Sequence, residues 1–318
     1  MRDIDVFNGD ADGICALHQL RLAEPSDGEL VTGVKRDNRL LQRVRAEAGD
    51  RVTALDISLA HNRDALLRLL EQGVSVRYFD HHFAGEIPQH ALLQSFIDTA
   101  ADVCTSVIVD RFLGGAHRPW AVVAAFGDNM PQTAARLAAT LAIPERVLGL
   151  WRELGEGLNY NAYGESEADL LYPPAALCRL LRPYRDPLAF IDGEPVSARL
   201  RQARAEDMAQ ALAIPAEIDG PGLTLHRLPD AKWARRAHGS LANHLATSDG
   251  QRVHGVLVPN GRGGLMLSLR VQHDADTGAD EFCRRYGGGG RRVAAGIDDL
   301  GGDQVQGLAS DLAATYVR

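Results

Sequence analysis

Residues 75–82, SVRYFDHH, constrain the fold of this chain more than any other stretch. Val74, Val76 and Tyr78 alternate in the manner of a strand, which runs into one acid and two imidazoles, Asp80, His81 and His82. A buried strand tolerates such an ending where something there binds a cation or a phosphate. Acids close other apolar segments too: Asp10 and Asp12 after 4–7, Asp56 in 52–57, and Asp128 after 120–126. Between them the apolar period is that of helices, over 14–23 and over 60–72, where Gly73 stops the second. Further strands are expected at 29–34 and 95–98. Strands alternating with helices predict a parallel α/β sheet. Parallel sheets place ligands at the carboxyl ends of their strands, so the scattered acids are expected to converge.

From 103 to about 181 the pattern is mostly helical. Prolines at 173, 174, 183, 187 and 195 punctuate the end of this region, and 196–212 predicts a polar, arginine-rich helix. Beyond Pro215, Gly220, Pro221 and Gly222, strands are expected at 223–228, 253–258 and 265–271, with helices at 241–246 and 279–286. The last helix is amphipathic, with Val305, Leu308 and Leu312 inward. The expected organisation is an α/β domain over 1–190, a helical linker over 191–222 and a smaller mixed α/β domain over 223–318. A chain of 318 residues at 45% hydrophobic suffices for two cores.

A net charge of −8 disfavours a long nucleic-acid track, which needs a basic face, but leaves room for a short anion held by a few arginines. Lys35 and Lys232 are the only lysines, a skew that fits compositional bias. Cys15, Cys104, Cys178 and Cys283 are far apart and form no CxxC, which predicts reduced core thiols. The opening MRDIDVFNGD shows no apolar targeting stretch, and no apolar run approaches the ~18 residues of a membrane span. A soluble, cytoplasmic protein is expected.

Asp10 and Asp12 lie two apart in residues 8–13, NGDADG, so both carboxylates reach one centre if the backbone is extended. The alternative is a strand-to-helix loop with Asp12 near an N-cap. Asp56 inside an apolar strand is costly to bury unless paired or metal-bound; otherwise it is a solvated acid at the strand mouth. Asp128 alone would suit a helix C-terminal loop. Together, carboxylates and neutral imidazoles hold two divalent cations, with manganese or magnesium favoured over zinc where oxygens dominate. Two ions ~3.5–4 Å apart support in-line hydrolysis of a phosphate ester.

In this order, Asp10-Ala11-Asp12-Gly13, Leu55-Asp56, Asp80-His81-His82 and Gly127-Asp128 resemble the motifs of the DHH phosphoesterase superfamily. That superfamily includes RecJ-type exonucleases, oligoribonuclease/pAp phosphatases, cyclic-dinucleotide phosphodiesterases and family II pyrophosphatases. Residues 286–296, YGGGGRRVAAG, are similar to the glycine-rich signature of the DHHA1 substrate domain, and Ser268-Leu269-Arg270 to its S-L-R strand. The resemblance spans both domains. It implies an N-terminal parallel-sheet DHH domain with a helical second half, followed by a DHHA1-like domain.

The resemblance also implies roles. Asp10 would ligate a first metal and Asp12 a second, Asp56 would bridge them, and His81 and Asp128 would complete the second site. His82 would face the scissile phosphate, and Asp80 would orient an imidazole. Arg270, Gly288, Gly289, Gly290 and Arg291 would hold the substrate. Two positions depart from the pattern. Val6 stands where many members carry a histidine, which leaves the Asn8 amide oxygen as the substitute ligand. Arg291 stands where a histidine usually follows the glycines, which shifts that loop towards holding anions. His238, Asn243 and His244 fit a solvated helix face better than a ligand cleft. The implied cofactors are two divalent cations, Mn2+ ahead of Mg2+. The implied substrates are oligoribonucleotides, dinucleotides or 3′-phosphoadenosine 5′-phosphate (pAp). The alternatives are a cyclic-dinucleotide phosphodiesterase, a single-strand exonuclease and a nucleotide-binding protein with weakened catalysis. No membrane partner is expected, and a homodimer is left open.

Overall fold

Alternation along the first strands sets the architecture of the computed structural model, which describes residues 1–317. The chain opens with β1 (Asp3–Asn8), α1 (Ala11–Ala23), β2 (Glu29–Gly33), β3 (Arg51–Leu55), α2 (Leu59–Glu71), β4 (Ser75–Asp80) and β5 (Leu93–Ile97). These strands form one parallel sheet in the order β2-β1-β3-β4-β5. Its register sets Phe7 beside Leu55 and Leu55 beside Phe79; on the other face Val6, Ala54 and Tyr78 line up. Successive side chains point to opposite faces, so the two rows enter different layers. Phe7, Leu55 and Phe79 pack with Ile14, Leu17 and Leu20 of α1, whereas Val6, Ala54 and Tyr78 pack with Leu66, Leu69 and Leu70 of α2. Burial on both faces is why the pairs Val6-Phe7, Ala54-Leu55 and Tyr78-Phe79, near the carboxyl ends of the inner strands, are apolar on either side.

Helices α3 (Thr105–Phe112), α4 (Arg118–Gly127), α5 (Pro131–Ala138), α6 (Glu145–Asn161), α7 (Pro174–Leu181) and α8 (Pro187–Gly193) extend the layer that α1 begins. α9 (Val196–Leu212) comes next. The chain divides into two units: Met1–Ala162 with Ser166–Arg201, and Tyr163–Glu165 with the chain from Gln202 onward. The division therefore falls inside α9.

The second unit contains β6 (Ile218–Asp219), β7 (Leu223–Arg227), α10 (Lys232–Ser248), β8 (Val253–Pro259), β9 (Leu265–Arg270), α11 (Ala279–Arg284), β10 (Gly289–Arg291), β11 (Ala294–Leu300) and α12 (Val305–Tyr316). Its sheet runs β10-β11-β9-β8-β7-β6 and is mixed, with β7 and β8 parallel. Val305, Leu308 and Leu312 are buried, as the amphipathic pattern predicts. The glycine run, expected as a loop, instead enters a strand: β10 pairs with β11, Gly289 opposite Gly296 and Arg291 opposite Ala294. The α/β class, the parallel first sheet and the helical second half agree with the sequence reading. All four cysteines are buried and free. No helix among the described residues is long and apolar enough to cross a membrane.

Candidate metal centre

The strand order reverses direction at β1, with β2 on one side of it and β3 on the other. Such a switch point opens a crevice at the carboxyl ends of the strands. Asp10 and Asp12 come just after β1, Asp56 just after β3, and β4 ends at Asp80 with His81 and His82 directly behind it. A cavity of about 590 Å³ opens at the other end of these strands, among Asp3, Glu24, Arg51 and Arg77. Its charges pair with one another, Arg51 with Asp3 and Arg77 with Glu24, which leaves no unmet donor set there.

Each acid of the cluster is fixed by a backbone device. Asp10 is the N-cap of α1, where its Oδ1 accepts from the N–H groups of Asp12 (3.0 Å) and Gly13 (3.1 Å). Asp12 reaches across to α3: the N–H of Thr105 donates to its Oδ2 and that of Ser106 to its Oδ1, both at 2.7 Å. First-turn amides have no partner within their own helix, so one carboxylate both caps α3 and is oriented by it. Asp56 stands at φ 59°, in the left-handed region, and its N–H donates to the Phe79 carbonyl at 3.0 Å. A non-glycine residue there is strained, and such strain concentrates at functional sites. The Thr105 hydroxyl donates to Asp56 Oδ1 at 3.1 Å. Asp128 is placed by Gly127: a Cβ on Gly127 would stand 2.3 Å from the Ala11 Cβ. The missing side chain lets the end of α4 lie on the turn between Asp10 and Asp12.

The imidazoles are oriented in the same way. His81 Nδ1 lies 2.9 Å from the Val103 carbonyl, which can only accept, so Nδ1 carries the proton. In the neutral ring the lone pair is then on Nε2, 3.5 Å from Asp56 Oδ1 and 3.8 Å from Asp128 Oδ2. Asp128 Oδ2 is buried with no hydrogen-bond partner. Acceptor atoms face one another without a hydrogen between them, an arrangement that a cation satisfies. One ligand atom each from Asp12, His81 and Asp128 lie within 4.8 Å of one another, as do atoms from Asp56, His81 and His82. The oxygen-rich donor set with imidazole suits manganese or magnesium. His82 donates through Nδ1 to Asp80 Oδ1 at 2.8 Å, leaving Nε2 of the half-exposed ring outward.

Electrostatics reflect the crowding. Burial pushes Asp56 well above the usual carboxylate range, and Asp12, Asp10, Asp128 and Asp80 push it further. Burial also raises Asp12, against the opposing pull of His81. Asp10 behaves differently: burial would raise it, but the Lys35 ammonium beside it outweighs burial and holds the group at about 2.

The structure thus brings together Asp10, Asp12, Asp56, Asp80, His81, His82 and Asp128. Asn8 is close but turned to other work: its Oδ1 accepts from the Asp10 N–H at 3.2 Å and its Nδ2 donates to the Lys35 carbonyl at 3.0 Å. Val6 is fully buried in the apolar layer against α2. The sequence reading missed Lys35, Asn159, Thr105 and Ser106. Only Lys35 left a trace, as one of two lysines in an arginine-rich chain.

In the second unit, Arg270 donates from Nε to Asn243 Oδ1 at 2.7 Å and from Nη1 to the Leu269 carbonyl at 2.9 Å. Among the described residues it forms no ion pair with a carboxylate, and burial lowers its hold on the proton. Asn243, expected on a solvated face, therefore serves to orient this guanidinium. The Gly287 and Gly288 N–H groups donate to the carbonyls of Arg284 and Cys283, at 3.1 and 2.9 Å. Gly289, Gly290 and Arg291 are exposed on the edge strand β10.

No protein-family model and no curated protein matches the chain in sequence. Solved structures do match its fold. An exonuclease RecJ bound to manganese superposes at a TM-score of 0.64 and 17% identity, over 98% of this chain and 89% of its own. PggH, a pGpG-specific phosphodiesterase from Vibrio cholerae, superposes at 0.57 and 14%, over 99% of this chain and 100% of its own. The chain has the DHH phosphoesterase fold. RecJ from Thermus thermophilus in complex with Mn2+ also matches, at a TM-score of 0.60 and 18% identity, over 98% of this chain and 52% of its own. The chain therefore spans about half the length of that protein. The DHH fold accounts for the convergence described above: all seven clustered residues stand at or just beyond strand ends or the end of α4.

Proposed function

We propose that this protein is a metal-dependent phosphoesterase that hydrolyses short nucleotide substrates, with oligoribonucleotides of a few residues, dinucleotides and pAp as first candidates. One observation carries the reading: the His81 Nε2 lone pair and the unpartnered Asp128 Oδ2 face each other beside Asp12 and Asp56. Asp12, Asp56, His81 and Asp128 would hold a divalent cation, with Mn2+ ahead of Mg2+. When bound, such an ion supplies a Lewis acid and lowers the pKa of bound water. Val103 fixes the His81 tautomer, and Thr105 and Ser106 fix the two carboxylates they touch. Asp80 orients His82, so that its Nε2 is free to meet a phosphate oxygen. In the second unit, Arg270 and the exposed Arg291 are the groups that would bind the phosphate or base of a bound nucleotide. The fold is shared with an exonuclease and with a pGpG phosphodiesterase, which supports a nucleotide substrate. The net charge of −8 favours short substrates over a long track.

The test is a hydrolysis panel with Mn2+, covering dinucleotides such as pApA and pGpG, oligoribonucleotides of up to about five residues, pAp, a cyclic dinucleotide and a long single strand. Turnover of the short linear substrates is expected, and Asp56→Ala and His81→Ala should each abolish it. Tight nucleotide binding without turnover in any metal would instead establish a binding protein.

A further inference from the structure

An ammonium already stands inside the acidic cluster. Lys35 Nζ donates to Asp10 Oδ2 at 2.5 Å and to Asn159 Oδ1 at 2.8 Å, and it lies 3.5 Å from Asp128 Oδ1. The other oxygen of Asp10 accepts the Asp12 and Gly13 N–H groups. Asp12 also accepts at both oxygens, but only from neutral backbone amides, whereas one oxygen of Asp10 is engaged by an ammonium that a dication would have to displace. Of the other donors expected for a first metal only the bridging Asp56 is in place: Val6 is in the core, and Asn8 is hydrogen-bonded to Asp10 and Lys35. The second set, Asp12, Asp56, His81 and Asp128, is different. No lysine or arginine among the described residues pairs with Asp12 or Asp56, and Asp128 still has its buried Oδ2 unpartnered.

The residue type matters. The chain has 34 basic residues, two of them lysine, which leaves 32 arginines; a lysine here runs against its own composition. A lysine head is a compact charge with three donors on one atom, and three acceptors surround it: Asp10, Asn159 and Asp128. A planar guanidinium matches a two-oxygen fork rather than three separate acceptors.

We infer that Lys35 takes the place of the first of two divalent ions, so that the chain holds one ion, at Asp12, His81 and Asp128 with Asp56 beside His81, next to a built-in ammonium. The inference rests on the metal-centre reading proposed above. Lys35 neutralises Asp10 and repels a second dication. It leaves a fixed positive charge 3.5 Å from Asp128, one of the groups that would hold the ion.

Metal stoichiometry tests this without reference to activity. The full chain, stripped with chelator, is titrated with MnCl2 by calorimetry and followed by electron paramagnetic resonance. One equivalent per chain is expected, with the six-line spectrum of an isolated Mn2+ ion. Lys35→Ala frees Asp10 and should take up a second equivalent, giving the broadened spectrum of a coupled pair. Two equivalents in the unaltered protein would overturn the inference and leave the proposed function standing. No bound Mn2+ would overturn the proposed function itself. A folded Lys35→Ala variant that still takes up one equivalent would make Lys35 a structural bridge only and would also overturn the inference. Should that variant fail to fold, the stoichiometry of the unaltered protein decides alone.

Discussion

A carbonyl decides what His81 can do, and the same logic fixes a histidine that the chemistry does not use. His18 is buried in α1, its Nε2 2.8 Å from the Tyr184 carbonyl and its ring set edge-on against Trp120. Burial pulls this imidazole from 6.5 down to about 4, against the opposing pull of the Tyr184 carbonyl. In the unfolded chain it titrates near its ordinary value, so between those limits the unfolded state takes up a proton that the native state refuses. The stabilisation is complete above about pH 6.5 and is lost as the pH falls towards 4. The gap between 6.5 and about 4 corresponds to roughly 3 kcal/mol at ~1.4 kcal/mol per pH unit. His18→Phe keeps the contact with Trp120 and removes the titration. Its unfolding free energy, measured in urea at pH 7 and pH 4.5, should fall less between the two than that of the parent, by about 2 kcal/mol. Equal losses in the two proteins would refute the assignment. This histidine carried no signal in the sequence, because its partner lies 166 residues away. Lys35 stood out only as one of two lysines, and its role was hidden for the same reason: it comes from Asp10 and Asn159, 25 and 124 residues distant. Asp56 was legible because an acid inside an apolar strand is anomalous wherever its partners are.

Elements were readable where period and burial agree. The inner strands β1, β3 and β4 are buried on both faces where they end, so their apolar pairs and the acids behind them stand out, and α2 carries a clean apolar stripe. The second unit is less transparent at β10 and β11. Four consecutive glycines suggest a flexible anion loop, and AAGIDDL alternates poorly. The structure gives the glycines a packing role: a Cβ on Gly288 would stand 2.2 Å from the Gly296 carbonyl oxygen, whereas one on Gly289 meets nothing within 4 Å. Gly288→Ala must therefore push β10 off β11, at a cost of about 1–3 kcal/mol. Gly289→Ala should cost well under ~1 kcal/mol, because it adds a methyl group to an exposed edge. Thermal unfolding of the two variants under identical conditions separates them. Similar melting temperatures would mean that the run is the adaptable loop the sequence suggests. The α3 N-terminus was missed on different grounds: Thr105 and Ser106 look like ordinary first-turn residues until Asp12 is seen to accept both amides.

At the scale of the molecule, the fold gathers five acids, Asp10, Asp12, Asp56, Asp80 and Asp128, at one end of a sheet in a chain that already carries a net charge of −8. Lys35 offsets only part of that, through Asp10 and Asp128. Without a further cation, Asp12 and Asp56 remain buried near like charge, which opposes folding of the first unit. A ligand that binds only the native state stabilises it by about 2.7 kcal/mol at a hundred times its dissociation constant. For a unit of roughly 200 residues, with each kcal/mol worth ~2–4 °C, this is a rise of about 5–10 °C in melting temperature. Mn2+ should produce that rise and chelator should reverse it, as followed by circular dichroism. Amide exchange should slow at Asp12, Thr105 and Ser106, whose hydrogen bonds hold the cluster, and stay unchanged along β8 and β9. Asp128→Asn should remove most of the metal-induced rise while leaving the metal-free melting temperature equal or higher, because one repelling charge is gone. If Mn2+ shifted Asp128→Asn as far as the parent, the ion would be bound elsewhere, and the convergence of acids at the strand ends would have to be explained without a metal.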